Sequence, residues 1–270
     1  MIRIFRTWRW PAFWRAVHLQ ALTGLLFALL LACSKPQETP NTLDSSSADA
    51  QREPADAAAT PPAQFVDVSK RAGLVEQTVS GSPEQGYIGE TMSAGVAAFD
   101  VDADGYLDIF LVGGNRLTPP EVTTSQRLYM NNQDGTFHEQ TQAAGLTAVG
   151  WGMGAAAGDT DNDGDVDLYV TYLGKNKLYV NNGDATFREV GLEAGVADTA
   201  WGASAALGDL NSDGLLDLYV TNYVEFSFNH PPTGPLKCNY KGLDTFCGPQ
   251  GMVSSSDRLY RNGGDNSFVD

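Results

Sequence analysis

Three stretches of the chain carry oxygen-bearing side chains at one repeated spacing. Asp100, Asp102, Asp104 and Asp108 bracket Gly105; Asp159, Asp161, Asp163 and Asp167 bracket Gly164; Asp209, Asn211, Asp213 and Asp217 bracket Gly214. Counted along each loop, the oxygens fall at positions 1, 3, 5 and 9 and the glycine at position 6. A hard divalent cation such as Ca²⁺ asks for this arrangement: several carboxylate oxygens on a short loop, with a residue lacking Cβ where the backbone turns sharply. The carbonyl at position 7 (Tyr106, Asp165, Leu215) offers one more oxygen. A solvated acidic run is the plainer reading, and three copies with the same spacing and the same glycine argue against it. With every coordinating position taken by protein, the metal reads as structural, since a catalytic metal keeps a position open. Asn211 gives the third loop one charge fewer, so it should bind more weakly, in a class where exported modules have dissociation constants of about 10⁻⁴–10⁻³ M.

An EF-hand loop begins in the same way but closes on a glutamate at position 12 between two helices. Here position 12 is Leu111, Val170 or Val220. The residues after each loop, Asp108 to Leu111, Asp167 to Thr171 and Asp217 to Thr221, are rich in β-branched and aromatic types and read as buried strands. The loops therefore join strand to strand.

Stepping outward from the loops reveals a repeat of about fifty residues. Upstream, Gly152 to Gly158 and Gly202 to Gly208 are Gly/Ala-rich, with Trp151 and Trp201 eight residues before the first loop aspartate and Met92 in the same place in the first copy. Downstream, Leu128–Tyr129–Asn131, Leu178–Tyr179–Asn181 and Leu259–Tyr260–Asn262 recur, followed by a turn and then Phe137, Phe187 or Phe268. Each repeat supplies four short strands, the pattern of a β-propeller blade. The Gly/Ala-rich strand is the innermost, where strands crowd the axis. Residues 64–68 match a fourth strand alone, an orphan of the kind a ring closed by strand exchange needs.

The chain start is of another kind. Arg3, Arg6, Arg9 and Arg15, an apolar run from Leu19 to Ala32 and then Cys33 describe an export signal rather than a membrane span. Residues 30–33 resemble the bacterial lipoprotein cleavage box, which implies lipidation of Cys33 and, with Ser34 after it, delivery to an outer membrane or cell surface. A plain signal peptide is the alternative. Residues 33–63 are Pro-, Ala-, Ser- and Thr-rich with almost no large apolar residue, and read as a disordered tether. Removing residues 1–32 takes four of seventeen basic residues and none of thirty-three acids, moving the formal charge from −16 to −20. That balance argues against nucleic acid or anionic lipid as partners, since phosphates need clustered cations. The two remaining cysteines, Cys238 and Cys247, read as a disulfide in an exported protein; a thiol metal site would need further ligands nearby, and none is present.

Over residues 64–270 the sequence resembles the bacterial FG-GAP/VCBS repeat proteins, close to the integrin-type propeller repeat. The branch related to cartilage acidic protein, with its ASPIC/UnbV module, is more similar still. The resemblance rests on the three loops, on Phe65, Asp67, Val68, Ser69, Ala72, Gly73 and Leu74, and on the segment from Cys238 to Pro249. It implies an all-β fold, a propeller with Ca²⁺ loops. Rings need about four to eight blades, and three blades with an orphan strand imply an incomplete ring and a piece of a longer protein.

For chemistry beyond metal binding the sequence offers little. His138 aligns with Arg188 and belongs to a solvated outer strand; His230 stands in a Pro-rich insertion. Nucleophile, phosphate-loop and zinc spacings are missing. Trp151 and Trp201 either stack on a sugar or peptide ligand or wedge between blades. The insertions 113–126 and 222–257 both follow the second strand of a blade and should emerge on one face, where loops on a rigid scaffold gather binding function. The expectation is a non-catalytic, Ca²⁺-stabilised, lipid-anchored binding or adhesion scaffold, taking a protein or glycan on that face and meeting the membrane only through Cys33. The alternatives are a polysaccharide-active enzyme and an envelope-assembly lipoprotein.

Overall fold

In the first repeat a short 3₁₀ turn, Ile88–Thr91, leads to β1 (Val96–Phe99), β2 (Asp108–Leu111), β3 (Arg127–Asn131) and β4 (Phe137–Glu139). The second holds β5 (Gly152–Gly158), β6 (Asp167–Tyr172), β7 (Gly174–Asn181) and β8 (Phe187–Glu189). The third holds β9 (Gly202–Gly208), β10 (Asp217–Asn222), β13 (Arg258–Asn262) and β14 (Phe268–Val269), with the hairpin β11 (Lys237–Tyr240) and β12 (Leu243–Phe246) inserted between β10 and β13. The computed structural model describes residues 64–81, 87–92, 94–116, 124, 126–227, 237–249 and 251–270. The segments expected to be a leader (1–32) and a tether (33–63), with Cys33, and also His230, lie outside the described residues.

Each repeat closes into its own antiparallel sheet, in the orders β1-β2-β3-β4, β5-β6-β7-β8 and β9-β10-β13-β14. The described residues are thus all-β, an incomplete β-propeller of about three blades, and the four strands read from each repeat are the four observed. All six residues of β6 are buried, as expected of a strand covered on both faces, where the sequence need not alternate.

The blades stack through apolar layers. Phe110, Val112 and Leu128 of the first blade meet Leu168, Val170 and Phe187 of the second. Tyr169, Leu178 and Val180 of the second meet Leu218, Val220 and Phe268 of the third. Fully burying one such side chain stabilises by about 1.5–3 kcal/mol, so these two layers are the main bond between blades.

The Gly/Ala content of the inner strands has a visible cause. A Cβ on Gly95 would lie 2.7 Å from the Met153 carbonyl oxygen and 2.8 Å from Gly154 Cα; one on Gly154 would lie 3.0 Å from the Ala203 oxygen. Inner strands of successive blades touch backbone to backbone there, and a side chain would force them apart.

A second link runs along the outside. After β4 and β8 the chain makes a turn ending in Ala144–Gly145 and Ala194–Gly195. The Ala144 carbonyl accepts from Phe187 N at 2.9 Å and that of Ala194 from Phe268 N at 3.0 Å. Ala72–Gly73 repeats this on blade one, the Ala72 carbonyl accepting from Phe137 N at 2.8 Å. Each linker clips onto the outer strand of the blade that follows it.

Here one expectation is corrected. Residues 64–68 form no strand, and Phe65 is 99% exposed. A fourth strand needs a third strand to pair with, and no third strand stands beside this segment among the described residues. The resemblance to Phe137 and Phe187 was real, but the part that folds alike is the turn at residues 69–73.

Antiparallel order also sorts the connections. The β1–β2, β5–β6 and β9–β10 loops, which carry the aspartates, leave one end of the blades. The β2–β3 connection leaves the other end, long in blades one and three and reduced to Leu173 in blade two. Both insertions therefore start from the same end of their blades, opposite the acidic loops.

Candidate metal centre

The three acidic loops fold alike because each is held by its own first aspartate. Asp100 Oδ1 and Oδ2 accept from Asp104 N (3.1 Å) and Gly105 N (2.8 Å). Asp159 does so for Asp163 N (3.2 Å) and Gly164 N (3.0 Å), and Asp209 for Asp213 N (3.1 Å) and Gly214 N (3.0 Å). Position 6 has φ of +89°, +100° and +89° in the three loops, a region open to glycine at no steric cost.

Carboxylates at positions 1, 3 and 9 converge. One oxygen each of Asp100, Asp102 and Asp108 lie within 4.8 Å of one another, and the same holds for Asp159, Asp161 and Asp167. Such a triad fits a hard cation, since the negative oxygens crowd one point on a loop that also brings backbone carbonyls. Asp209 and Asp217 stand in the same framework in loop three, with Asn211 supplying an amide oxygen in place of the third carboxylate. The position 5 side chains, Asp104, Asp163 and Asp213, hold the turn that follows them. Their Oδ1 atoms accept from the position 7 amides of Tyr106, Asp165 and Leu215, at 2.8, 2.9 and 2.9 Å.

Position 9 does more than the spacing suggested. Asp167 is fully buried; its Oδ1 accepts from Asn181 N at 2.9 Å, and its Oδ2 from Thr160 N at 2.9 Å and the Thr160 hydroxyl. Asp108 does the same for Asn131 N (2.8 Å) and Val101 N (2.9 Å), and Asp217 for Asn262 N (2.9 Å) and Leu210 N (3.2 Å). Each position 9 aspartate thus fastens the loop to the third strand of its own blade. Burial raises the carboxyl pKa of Asp108 and Asp167 above the ordinary range despite these donors. Asp161 is raised too, first by burial, while the Asn266 amide that donates to it at 2.7 Å pulls the other way.

The asparagine ending each third strand was quoted in the repeat but given no role by sequence. Asn181 Nδ2 donates to the Val101 carbonyl in the acidic loop of blade one at 2.8 Å, and Asn262 Nδ2 to the Thr160 carbonyl in that of blade two at 2.7 Å. Its recurrence in three copies was the signal.

Other residues singled out are placed as follows. Cys238 and Cys247 form a disulfide with Cα atoms 4.9 Å apart. His138 is exposed on β4, its ring nitrogens near Asn132 Oδ1 and Gln140 Oε1. Trp151 and Trp201 are 5% and 2% exposed and pack with Ile88, Met153 and Val224 at the insertion end. They are wedges, not open stacking surfaces.

No curated protein matches the sequence. Among solved structures, the chain is similar to an Agrocybe aegerita lectin described for specific recognition of non-reducing terminal N-acetylglucosamine, at 17% identity and a TM-score of 0.34, covering 66% of this chain. It spans 37% of that lectin's length. Residues 100–170 and 159–220 each match the FG-GAP-like repeat. Those spans contain all three acidic loops, and the chain is one that carries FG-GAP-like repeats.

Proposed function

We propose that this chain is a calcium-stabilised, non-catalytic binding scaffold, exported and tethered to a membrane through Cys33. One observation carries the reading: the convergence of carboxylates at positions 1, 3 and 9 in two successive blades, on loops whose first aspartates hold the same two amides. Bound Ca²⁺ would offset like charges that otherwise repel at short range. Because the same loops are stitched to neighbouring blades, metal binding and blade stacking reinforce each other. The opposite face, with the insertions, is left to bind a partner; a protein or glycan fits an acidic chain better than nucleic acid does. Export and the lipid anchor rest on residues 1–33 of the sequence, and the disulfide suits an oxidising compartment. The affinity of the repeat for the ASPIC/UnbV branch belongs to the same proposal.

The experiment is thermal unfolding of the protein after chelation, titrated with Ca²⁺ and separately with Mg²⁺. The midpoint should climb with Ca²⁺ far more than with Mg²⁺. A folded protein with no shift from either ion would reject the metal reading.

A further inference from the structure

Each blade has a near face, turned toward the blade before it, and a far face, turned toward the blade after it. One row of paired residues crosses the far face: Ala97, Phe110 and Leu128 in blade one, Ala156, Tyr169 and Leu178 in blade two, Ala206, Tyr219 and Leu259 in blade three. In the first two blades the large members of this row are at most 1% exposed, sealed by the blade that follows. In blade three Tyr219 is 39% and Leu259 50% exposed. The loop beside the row behaves alike: Val101 and Thr160 are buried, whereas Leu210, at the same place, is 64% exposed.

A lone exposed leucine needs no explanation. Here a surface that twice serves as an interface stands open in its third copy, and contiguous open apolar surface marks a contact site. The kind of face that seals such a row is present in the molecule. In blade two it presents Ala155, Ala157 and Val166, packed against the core shared with blade one. Blade one carries its own version of that face, with Val96 and Leu107 in the places of Ala155 and Val166, and these are 61% and 59% exposed. On the far face of blade three, Arg261 replaces the apolar Met130 and Val180 of the other blades. Its long stem can lie along apolar surface with the charge at the rim.

We propose that the far face of blade three docks on the near face of blade one in a second copy of this chain. The contact continues the stacking that each copy already makes twice, so it asks for no new kind of interface. It is head-to-tail, and a head-to-tail contact either closes into a ring or grows into a filament. Two copies of three blades close at six, within the four to eight blades of propeller rings. The inference goes beyond the scaffold reading and depends neither on its metal nor on its ligand.

The test is sedimentation equilibrium of the full chain, with Ca²⁺ present, over a wide range of concentration. The mass should reach twice that of one chain and stop there. Leu259→Glu on the far face and Val96→Glu on the near face should each return it to one copy. Both side chains are exposed in the single copy, so far-UV circular dichroism should stay as in the parent. Mixed together, the two variants should regain a mass of two copies, because each keeps the face that the other has lost. A single-copy mass throughout overturns the proposal and leaves the open faces to further blades of the repeat. A dimer indifferent to both substitutions overturns it, as does one lost with Leu259→Glu and kept with Val96→Glu, since far faces would then meet each other. A mass that climbs past two copies overturns the closed ring.

Discussion

Asn181 of the second blade reaches across the blade boundary to the carbonyl of Val101 in the acidic loop of the first, at 2.8 Å. Its backbone N–H meanwhile donates to Asp167 in its own blade, and its Oδ1 accepts from Gly183 N. One residue thus ties a turn, its own acidic loop and its neighbour's. Asn131, at the same place in blade one, keeps the intra-blade bonds to Leu107 O and Gln133 N. Asn181→Ala should cost about 2–3 kcal/mol by leaving a buried carbonyl unpaired, and Asn131→Ala about 1 kcal/mol. Urea unfolding of the two variants would check this; equal losses would mean that the inter-blade bond adds nothing.

Close approach of the inner strands makes a second prediction. Gly95→Ala would set a methyl 2.7 Å from the Met153 oxygen and 2.8 Å from Gly154 Cα. Both neighbours are backbone and cannot swing aside, so the substitution should destabilise by about 1–3 kcal/mol, the usual cost of overpacking. Gly248→Ala, with no atom near the added methyl, is the matched control. A Gly95 variant as stable as the parent in denaturant melts would show that the inner strands can part freely.

Much of this architecture was legible because the repeat prints each structural demand three times. Gly105, Gly164 and Gly214 announce a turn, and the Gly/Ala strand announces crowding at the axis. The strand boundaries followed from apolar runs bounded by these markers. Residues 64–68 misled because a strand is a relation between segments: Phe65 has the right type, but pairing depends on a neighbour that local sequence cannot supply. The position 9 aspartates show a different limit. Spacing marked them as ligands, whereas their second task, accepting from the backbone of β3, β7 and β13, depends on register. The Trp151 indole shows a third: its N–H donates to the Met92 carbonyl, 59 residues back, a partner that no local pattern reveals.

The third loop offers a graded test of the metal reading. Asn211 Oδ1 accepts from Asp213 N at 2.8 Å, as Asp161 Oδ1 does from Asp163 N at 3.3 Å, so the two side chains hold equivalent places. Asn211→Asp restores the missing charge without changing shape and should tighten the weakest Ca²⁺ step several-fold, since ligand charge tunes affinity in such loops. In the absence of the ion the added carboxylate should lower stability slightly by repulsion. Calorimetric Ca²⁺ titration with melts in chelator reads both effects. An unchanged titration would remove loop three from the metal sites.

The disulfide should matter locally rather than globally. Cys238 and Cys247 close a short loop around β11 and β12, which among the described residues pair only with each other. Tyr240 and Leu243 at its tip are 65% and 72% exposed, so the hairpin has little core of its own. Closing a loop of this size restricts the open chain by about 2–3 kcal/mol in the entropy model, and that gain belongs to the hairpin's own opening equilibrium. Replacing both cysteines with serine should therefore leave the main unfolding midpoint nearly unchanged while making residues 237–247 a fast proteolytic site. Limited proteolysis with mass mapping, set beside a melt, separates these outcomes. A large fall in the main midpoint would mean that the hairpin is part of the cooperative unit, because local opening could then no longer occur without unfolding the blades.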